Sequence, residues 1–124
     1  MFHYERQKTS ATPYILVDEE KSYMKFSGES FPENVIKCYG EVSAWLNRYL
    51  VTPFGEFTFD FEMIYFNSST SKVLTSMFSM LNEAAKENHV VVNWCCSEDN
   101  DIMIEYGEEF KKDNPNIEFN IILD

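Results

Sequence analysis

The pattern of apolar and polar positions is clearest in the middle of the chain, where its period changes. Every second side chain between residues 57 and 63 is apolar, which is typical of a half-buried β-strand: Phe57, Phe59, Phe61 and Met63. The alternation stops at Asn67, and a run of hydroxyl residues follows. Apolar residues then recur at helical spacing from Val73 to Ala85, which predicts an amphipathic helix. We therefore expect a strand, a polar tip and a helix N-terminus in that order.

The same patterns predict the other elements of the chain. Strands are expected at 14–17, 23–27, 89–95 and 117–123, with a weak edge strand within 2–8. Helices are expected at about 35–50 and from 98–101 onwards, and residues 28–34 are expected to form a loop. The order β-β-β-α-β-α-β-α-β predicts one α/β domain over residues 1–124, with a mixed sheet and parallel crossovers. Charged residues on one face of the 57–63 strand predict that the helices pack mainly on the other face.

The tip consists of Asn67, Ser68, Ser69, Thr70, Ser71 and Lys72. Asn and Ser often cap helices, because their side-chain oxygens accept hydrogen bonds from free backbone N–H groups, and capping is the commonest role of such a run. The helix N-terminus also carries a partial positive charge, so the same geometry favours an added phosphate. Lys72 follows by one turn and is placed to pair with a phosphate on Ser68 or Ser69.

Composition and charge restrict the class of partner. Lys and Arg number 10 and Asp and Glu number 21, so the net charge is 10 − 21 = −11. Because this charge repels phosphate groups, nucleic acid and anionic membrane surfaces are poor partners, and a protein with a basic patch is expected instead. The chain has no long apolar segment and no signal-peptide pattern at its N-terminus, which predicts a cytoplasmic protein.

Signatures of catalysis and of cofactor binding are weak. The chain has no GxGxxG, Walker, HExxH or GxSxG motif, and its acidic run near residue 100 lacks the glycine of a calcium loop. Neither a metal nor another cofactor is predicted, and we expect no enzymatic activity. The rival hypothesis is a thiol enzyme that uses Cys95 or Cys96, for which the nearest base in sequence is His89.

Several motifs, in this order and at these separations, resemble the SiaC family of bacterial regulatory phosphoproteins. They lie at 12–18 (TPYILVD), 28–34 (GESFPEN), 45–46 (WL), 65–72 (YFNSSTSK), 92–94 (VNW) and 101–110 (DIMIEYGEEF). The resemblance extends from about residue 9 to the C-terminus. It implies a fold similar to the STAS domain of anti-sigma-factor antagonists, which carry a phosphorylatable serine at a strand-to-helix tip.

The resemblance also implies a function without catalysis. A serine/threonine kinase of the histidine-kinase-like ATPase type would phosphorylate the protein, and a PP2C-type phosphatase would reset it. The unphosphorylated form would bind and activate a diguanylate cyclase, raising cyclic di-GMP and favouring biofilm. The family's typical threonine acceptor corresponds here to Ser68, with Ser69 and Thr70 as alternatives. An anti-sigma-factor-antagonist-type switch that acts on another effector is a second interpretation.

The partner surface is expected to include the tip and the neighbouring 28–34 loop. Its predicted residues are Asn67, Ser69, Thr70, Ser71 and Lys72 of the tip, with Glu29 and Glu33 of the loop. Loops beside a helix N-terminus at the strand ends commonly form binding sites. An alternative is that Glu33 only caps the first helix and stabilises its N-terminus by its charge.

Overall fold

A six-stranded mixed sheet organises the structure, a computed structural model that describes residues 1–124. The strands are β1 (His3–Arg6), β2 (Tyr14–Asp18), β3 (Tyr23–Ser30), β4 (Glu56–Phe66), β5 (His89–Cys96) and β6 (Glu118–Leu123). The α-helices are α1 (Val35–Tyr49), α2 (Ser68–Ala84) and α3 (Asp101–Asp113), and a short 3₁₀ helix spans Glu19–Lys21. The predicted order of elements is confirmed.

The strands lie in the sheet in the order in which they occur in the chain. β1, β2 and β3 pair in antiparallel fashion, whereas β3, β4, β5 and β6 are parallel. Each parallel connection leads to the next strand on the same side of the sheet, and such crossovers are almost always right-handed. The three helices therefore fall on one face, as the sequence predicts.

The core forms between that face and the helices. Phe57, Phe59 and Phe61 of β4 are completely buried. The Phe61 ring stacks on Trp94 of β5 with ring centroids 3.9 Å apart, and the Trp94 indole N–H donates to the carbonyl oxygen of Met103 in α3. β4 and β5 thus anchor the packing of α3, and one cluster of 27 buried apolar residues joins all three helices to the sheet.

The opposite face of the sheet carries a polar network instead of helices. The Tyr23 hydroxyl donates to Asp60 at 2.6 Å, Asn93 donates to the same carboxylate at 2.9 Å, and Asn120 donates to Asn93 at 3.1 Å. Burial and the hydrogen bond to Asp60 raise the pKa of Tyr23, so its hydroxyl remains a donor. These hydrogen bonds across four strands pair the polar side chains of this face, which has no covering layer of helices.

Two strands extend further than the sequence predicts. β3 continues to Ser30, so that the first three residues of the predicted 28–34 loop belong to a strand. β4 continues to Phe66 past a bulge, since Gly28 pairs with Met63 but Glu29 pairs with Tyr65, which leaves Ile64 as the extra residue. Gly28 has φ 104°, a conformation that side chains disfavour. Parallel pairing between the two strand ends, which no local pattern reveals, outweighs the turn signals.

The third helix begins slightly later than the acidic run suggests. Its N-cap is Asn100, whose side chain accepts from the backbone N–H of Met103, and Asp101 is the only acidic residue in the first turn. Glu98 and Asp99 precede the helix. None of the helices is long and apolar enough to cross a membrane.

We predict that two helical glycines respond to alanine in opposite ways. A Cβ at Gly107 would lie 2.6 Å from the Trp94 indole, so Gly107→Ala should lower the free energy of unfolding by about 1–2 kcal/mol through overpacking. A Cβ at Gly40 would meet only Ile36 at 3.7 Å, so Gly40→Ala should raise it by about 0.5–1 kcal/mol. Urea denaturation of both variants measures the difference, and equal effects would contradict this packing of α3.

His89, at the start of β5, bridges its two neighbouring strands. Its Nδ1 lies 2.8 Å from a Glu56 carboxylate oxygen and its Nε2 lies 2.9 Å from one of Glu118. The hydrogen bonds to Glu118 and then Glu56 raise the pKa of His89 above 6.5, and the bond from His89 lowers the pKa of Glu118. Because the folded-state pKa of His89 is raised, its contribution to stability is complete below about pH 6.5 and is lost as the pH rises through the folded-state value.

We predict that Glu118→Gln moves the pKa of His89 back toward 6.5, since it removes the largest cause of the shift. NMR titration of the imidazole resonances measures the change. Glu87→Gln, at an exposed acid that forms no hydrogen bond or ion pair with the ring, is the matched control and should change the His89 pKa much less. A wild-type pKa at or below 6.5 would rule out the bridge.

Candidate phosphorylation and partner-binding site

The site lies where β4 ends and α2 begins. The backbone N–H of Asn67 donates to the carbonyl oxygen of Ser30 at 2.9 Å, which ties this junction to the end of β3. The Asn67 side chain accepts from the backbone N–H of Thr70 at 3.0 Å and so caps α2. The capping role predicted for this residue is confirmed, and it fixes Ser68 as the first residue of the helix.

The three candidate hydroxyl groups have different environments. Ser68 is exposed, and its hydroxyl makes no hydrogen bond within the chain. Ser69 is partly buried and donates to the Asn67 side chain at 3.0 Å. Thr70 is 0% exposed, so its hydroxyl is inaccessible to a kinase or a partner in this conformation. This burial argues against Thr70 both as an alternative acceptor and as a contact residue.

Thr70 instead belongs to a buried chain of three hydroxyl groups. Its Oγ1 lies 2.9 Å from the Ser30 hydroxyl, which is also hydrogen-bonded to the Tyr39 hydroxyl at 2.5 Å. Burial raises the pKa of Tyr39, which keeps the phenol protonated and able to donate. These hydrogen-bonded hydroxyl groups join β3, α1 and the first turn of α2, the turn that begins with Ser68.

The electrostatic environment of Ser68 favours added negative charge. The first turn of α2 contains no acidic residue, and its free N–H groups carry the positive end of the helix dipole. Lys72 is exposed, lies four residues after Ser68 on the same helix face, and forms no ion pair within the chain. Its ammonium group is therefore available to a phosphate on Ser68.

The predicted neighbouring segment does lie beside the tip. Ser30 contacts Asn67 directly, and both Glu29 and Glu33 are exposed. The N-cap of α1 is Asn34, whose side chain accepts from the backbone N–H of Lys37, so Glu33 does not cap the helix. The capping part of the alternative role for Glu33 is therefore wrong, whereas a stabilising effect of its charge on the helix N-terminus stays a prediction. The Glu33 carboxylate is exposed.

Sequence reasoning missed the exposed apolar residues at this edge. Phe31, Ile64, Tyr65 and Ile102 are between 41% and 63% exposed. Two of them left a signal in the sequence, because Ile64 and Tyr65 are adjacent apolar residues that break the alternation of β4. The bulge at Ile64 explains the break, since it shifts burial from the expected position 65 to Phe66.

The surroundings of Cys95 and Cys96 do not favour a reactive thiolate. Cys95 lies on the open face of the sheet and Cys96 is buried on the other. Burial is the largest cause that raises the pKa of Cys95, and the negative charges of Glu62 and Asp60 add to it. Burial also raises the pKa of Cys96, with a smaller contribution from the charge of Asp124. Both nitrogens of His89, at the far end of the strand, are bound to glutamates. Nothing in this arrangement stabilises a thiolate.

Comparison with known proteins identifies the family. The sequence pattern of SiaC family regulatory phosphoproteins matches residues 6–123. The chain belongs to the SiaC family. An uncharacterized protein of Pseudomonas aeruginosa strain UCBPP-PA14 is 29% identical over 106 residues, which cover 85% of this chain and 84% of that protein.

Solved structures of the family share this architecture. SiaC of Pseudomonas aeruginosa is 25% identical and superimposes with a TM-score of 0.84 over 100% of this chain and 98% of its own. A crystal structure of the diguanylate cyclase SiaD in complex with its activator SiaC, from the same species, contains a chain that is 26% identical, with a TM-score of 0.84 and 97% of each chain covered. The predicted family and the mixed α/β fold are thus confirmed.

We predict that the buried hydroxyl chain of this SiaC family member acts as a coupled unit. Tyr39→Phe and Thr70→Val should each cost about 0.5–1.5 kcal/mol of unfolding free energy, because each leaves Ser30 one partner. The double variant should lose more than the sum, since it strips the Ser30 hydroxyl of both side-chain partners. Tyr106→Phe is the control, because the Tyr106 hydroxyl makes no hydrogen bond. Additive losses in denaturant unfolding would contradict the coupling.

Proposed function

We propose that this chain is a non-enzymatic phospho-switch whose unphosphorylated form binds and activates a diguanylate cyclase. Membership of a family of regulatory phosphoproteins supports the switch. The effector is inferred from the related SiaC, which is described as the activator of the cyclase SiaD. The output of such a switch is the level of cyclic di-GMP and, through it, biofilm formation.

The exposed, unpaired hydroxyl of Ser68 at the first position of α2 is the observation on which the proposal rests. A kinase must reach the acceptor oxygen, and Ser68 meets this condition without any change in the fold. Ser69 would have to break its bond to Asn67 first, and Thr70 would have to leave the core. Ser68 is therefore the proposed acceptor.

A phosphate on Ser68 would change the surface chemically more than it would change the fold. It adds a charge of about −1.5 to −2 at neutral pH and three strong acceptor oxygens. The helix N-terminus and Lys72 accommodate this charge while the surface is in water. A partner fitted to a bare hydroxyl would have to desolvate the dianion, at a cost of about 3 kcal/mol or more, which is over a hundredfold in affinity.

The other components of the switch follow from the family resemblance. The kinase is expected to be a serine/threonine kinase of the histidine-kinase-like ATPase type, the phosphatase to be of the PP2C type, and the site of action to be the cytoplasm. The acidic side chains Glu29 and Glu33 beside the tip suit partners with basic surfaces. The chain itself needs no cofactor for this role.

Two alternatives remain distinguishable from this proposal. A partner switch that acts on an effector other than a cyclase would use the same Ser68 and would differ only in the protein bound. A thiol enzyme would need a thiolate, which the raised pKa of Cys95 and of Cys96 opposes.

We predict that Ser68→Ala abolishes phosphate incorporation by the cognate kinase, whereas Ser69→Ala retains it, because of these two hydroxyls only that of Ser68 is exposed and without a hydrogen bond. Mass-spectrometric mapping of the modified peptide measures both. Ser68→Asp should weaken binding to a diguanylate cyclase of the same genome that binds the wild-type chain. Unchanged incorporation in Ser68→Ala would refute the acceptor assignment, and full binding by Ser68→Asp together with the phosphorylated wild type would refute the switch.

A further inference from the structure

Exposed apolar side chains are concentrated at one edge of the molecule. Nine large apolar residues are exposed. All but Met1 and Val51 lie at the carboxyl ends of the parallel strands, in the loops that follow them or in the first turns of the next helices: Phe31, Ile36, Ile64, Tyr65, Ile102, Ile122 and Leu123. Single exposed apolar residues are normal on a protein surface, but seven at one edge are not a random scatter.

Four of these residues form the centre, which we call the apolar patch: Phe31, Ile64, Tyr65 and Ile102. The rings of Phe31 and Tyr65 meet edge to face with centroids 6.1 Å apart. The carbonyl oxygen of Ile64 accepts from the side chain of Asn100, which holds the first turn of α3, and with it Ile102, against the end of β4. The patch therefore runs from the end of β3 across β4 to α3.

The bulge in β4 creates this exposure. If residues 63–66 alternated regularly, with no bulge, position 65 would be buried and Phe66 would lie on the open side. The hydrogen bond from Asn100 satisfies the carbonyl group that the bulge leaves without a strand partner. An exposed pair of apolar side chains is thus maintained by specific contacts, and it lies beside Ser68. Tyr65 and Ser68 are three residues apart, so their Cα atoms are at most about 11 Å apart.

Acidic groups border the patch. The end of β3, the loops that follow β3 and β5 and the first turn of α3 carry exposed carboxylates: Glu29, Glu33, Glu98, Asp99 and Asp101. An apolar centre with a charged rim is the usual anatomy of a protein–protein interface. The complementary surface would present apolar or aromatic side chains surrounded by Lys and Arg.

We propose that the apolar patch is the docking surface for the effector of the switch, a protein with an apolar contact region bordered by basic side chains. This inference rests on the proposed function and identifies which surface carries it. It is also consistent with the proposed release on modification, since a dianion on Ser68 would have to lose its water when the neighbouring apolar contacts close.

The test compares polar substitutions inside and outside the patch in the full, unphosphorylated chain. Tyr65→Ser and Ile102→Ser should each raise the Kd for the cyclase that binds the wild type by about tenfold or more, as expected for central apolar contacts. Val51→Ser, at an 82% exposed residue on the opposite edge, is the matched control and should bind like the wild type. Because each of the three side chains is at least 48% exposed, the melting temperatures should change little.

Each other result overturns a specific claim. If Tyr65→Ser and Ile102→Ser bind the cyclase with wild-type affinity while Ser68→Asp does not, the switch stands and the patch is not its docking surface. If sedimentation shows that these variants lose self-association but not cyclase binding, the occupant is a second copy and the inference is wrong. If Ser68→Asp and the phosphorylated wild type also bind fully, the proposed function itself fails.

Discussion

The junction between β4 and α2 depends on one residue in a different part of the chain, Ser30. Its carbonyl oxygen accepts from the N–H of Asn67, and its hydroxyl links Thr70 of α2 to Tyr39 of α1. A buried polar group without a partner costs about 1–3 kcal/mol, so these bonds hold the junction in one arrangement. The end of β3, the start of α2 and the first helix consequently share a single fixed geometry.

In this geometry, hydroxyl residues that are neighbours in the sequence differ in their accessibility to solvent. Four consecutive hydroxyl residues begin α2, but the helical turn directs Thr70 into the core and leaves Ser68 in water. The proposed choice of Ser68 as acceptor therefore rests on the rotation of about 100° per residue around the helix axis. A rigid helix start also means that a phosphate could act through its charge alone, without a change in the fold.

The sheet has a polar face and an apolar face, and the two kinds of surface meet at the carboxyl ends of its parallel strands. The polar face satisfies itself through Asp60 and Asn93, while the apolar core is closed by Trp94 and the helices. At the carboxyl ends of the parallel strands, the bulge at Ile64 interrupts the alternation between the polar face and the core, and it leaves apolar side chains exposed near carboxylates. Strong net negative charge keeps such a surface soluble, and it favours a basic partner over a chance apolar contact.

The sequence alone determined the order of the elements, the side of the sheet that the helices cover and the presence of hydroxyl groups at a helix start. These properties follow from local periodicity and capping chemistry, which act over a few residues. Only the tertiary structure decided that Ser30 belongs to a strand, that Ile64 bulges and that Thr70 is buried. The reason is separation along the chain, because Ser30 and Thr70 are 40 residues apart and no pattern within either segment contains the other.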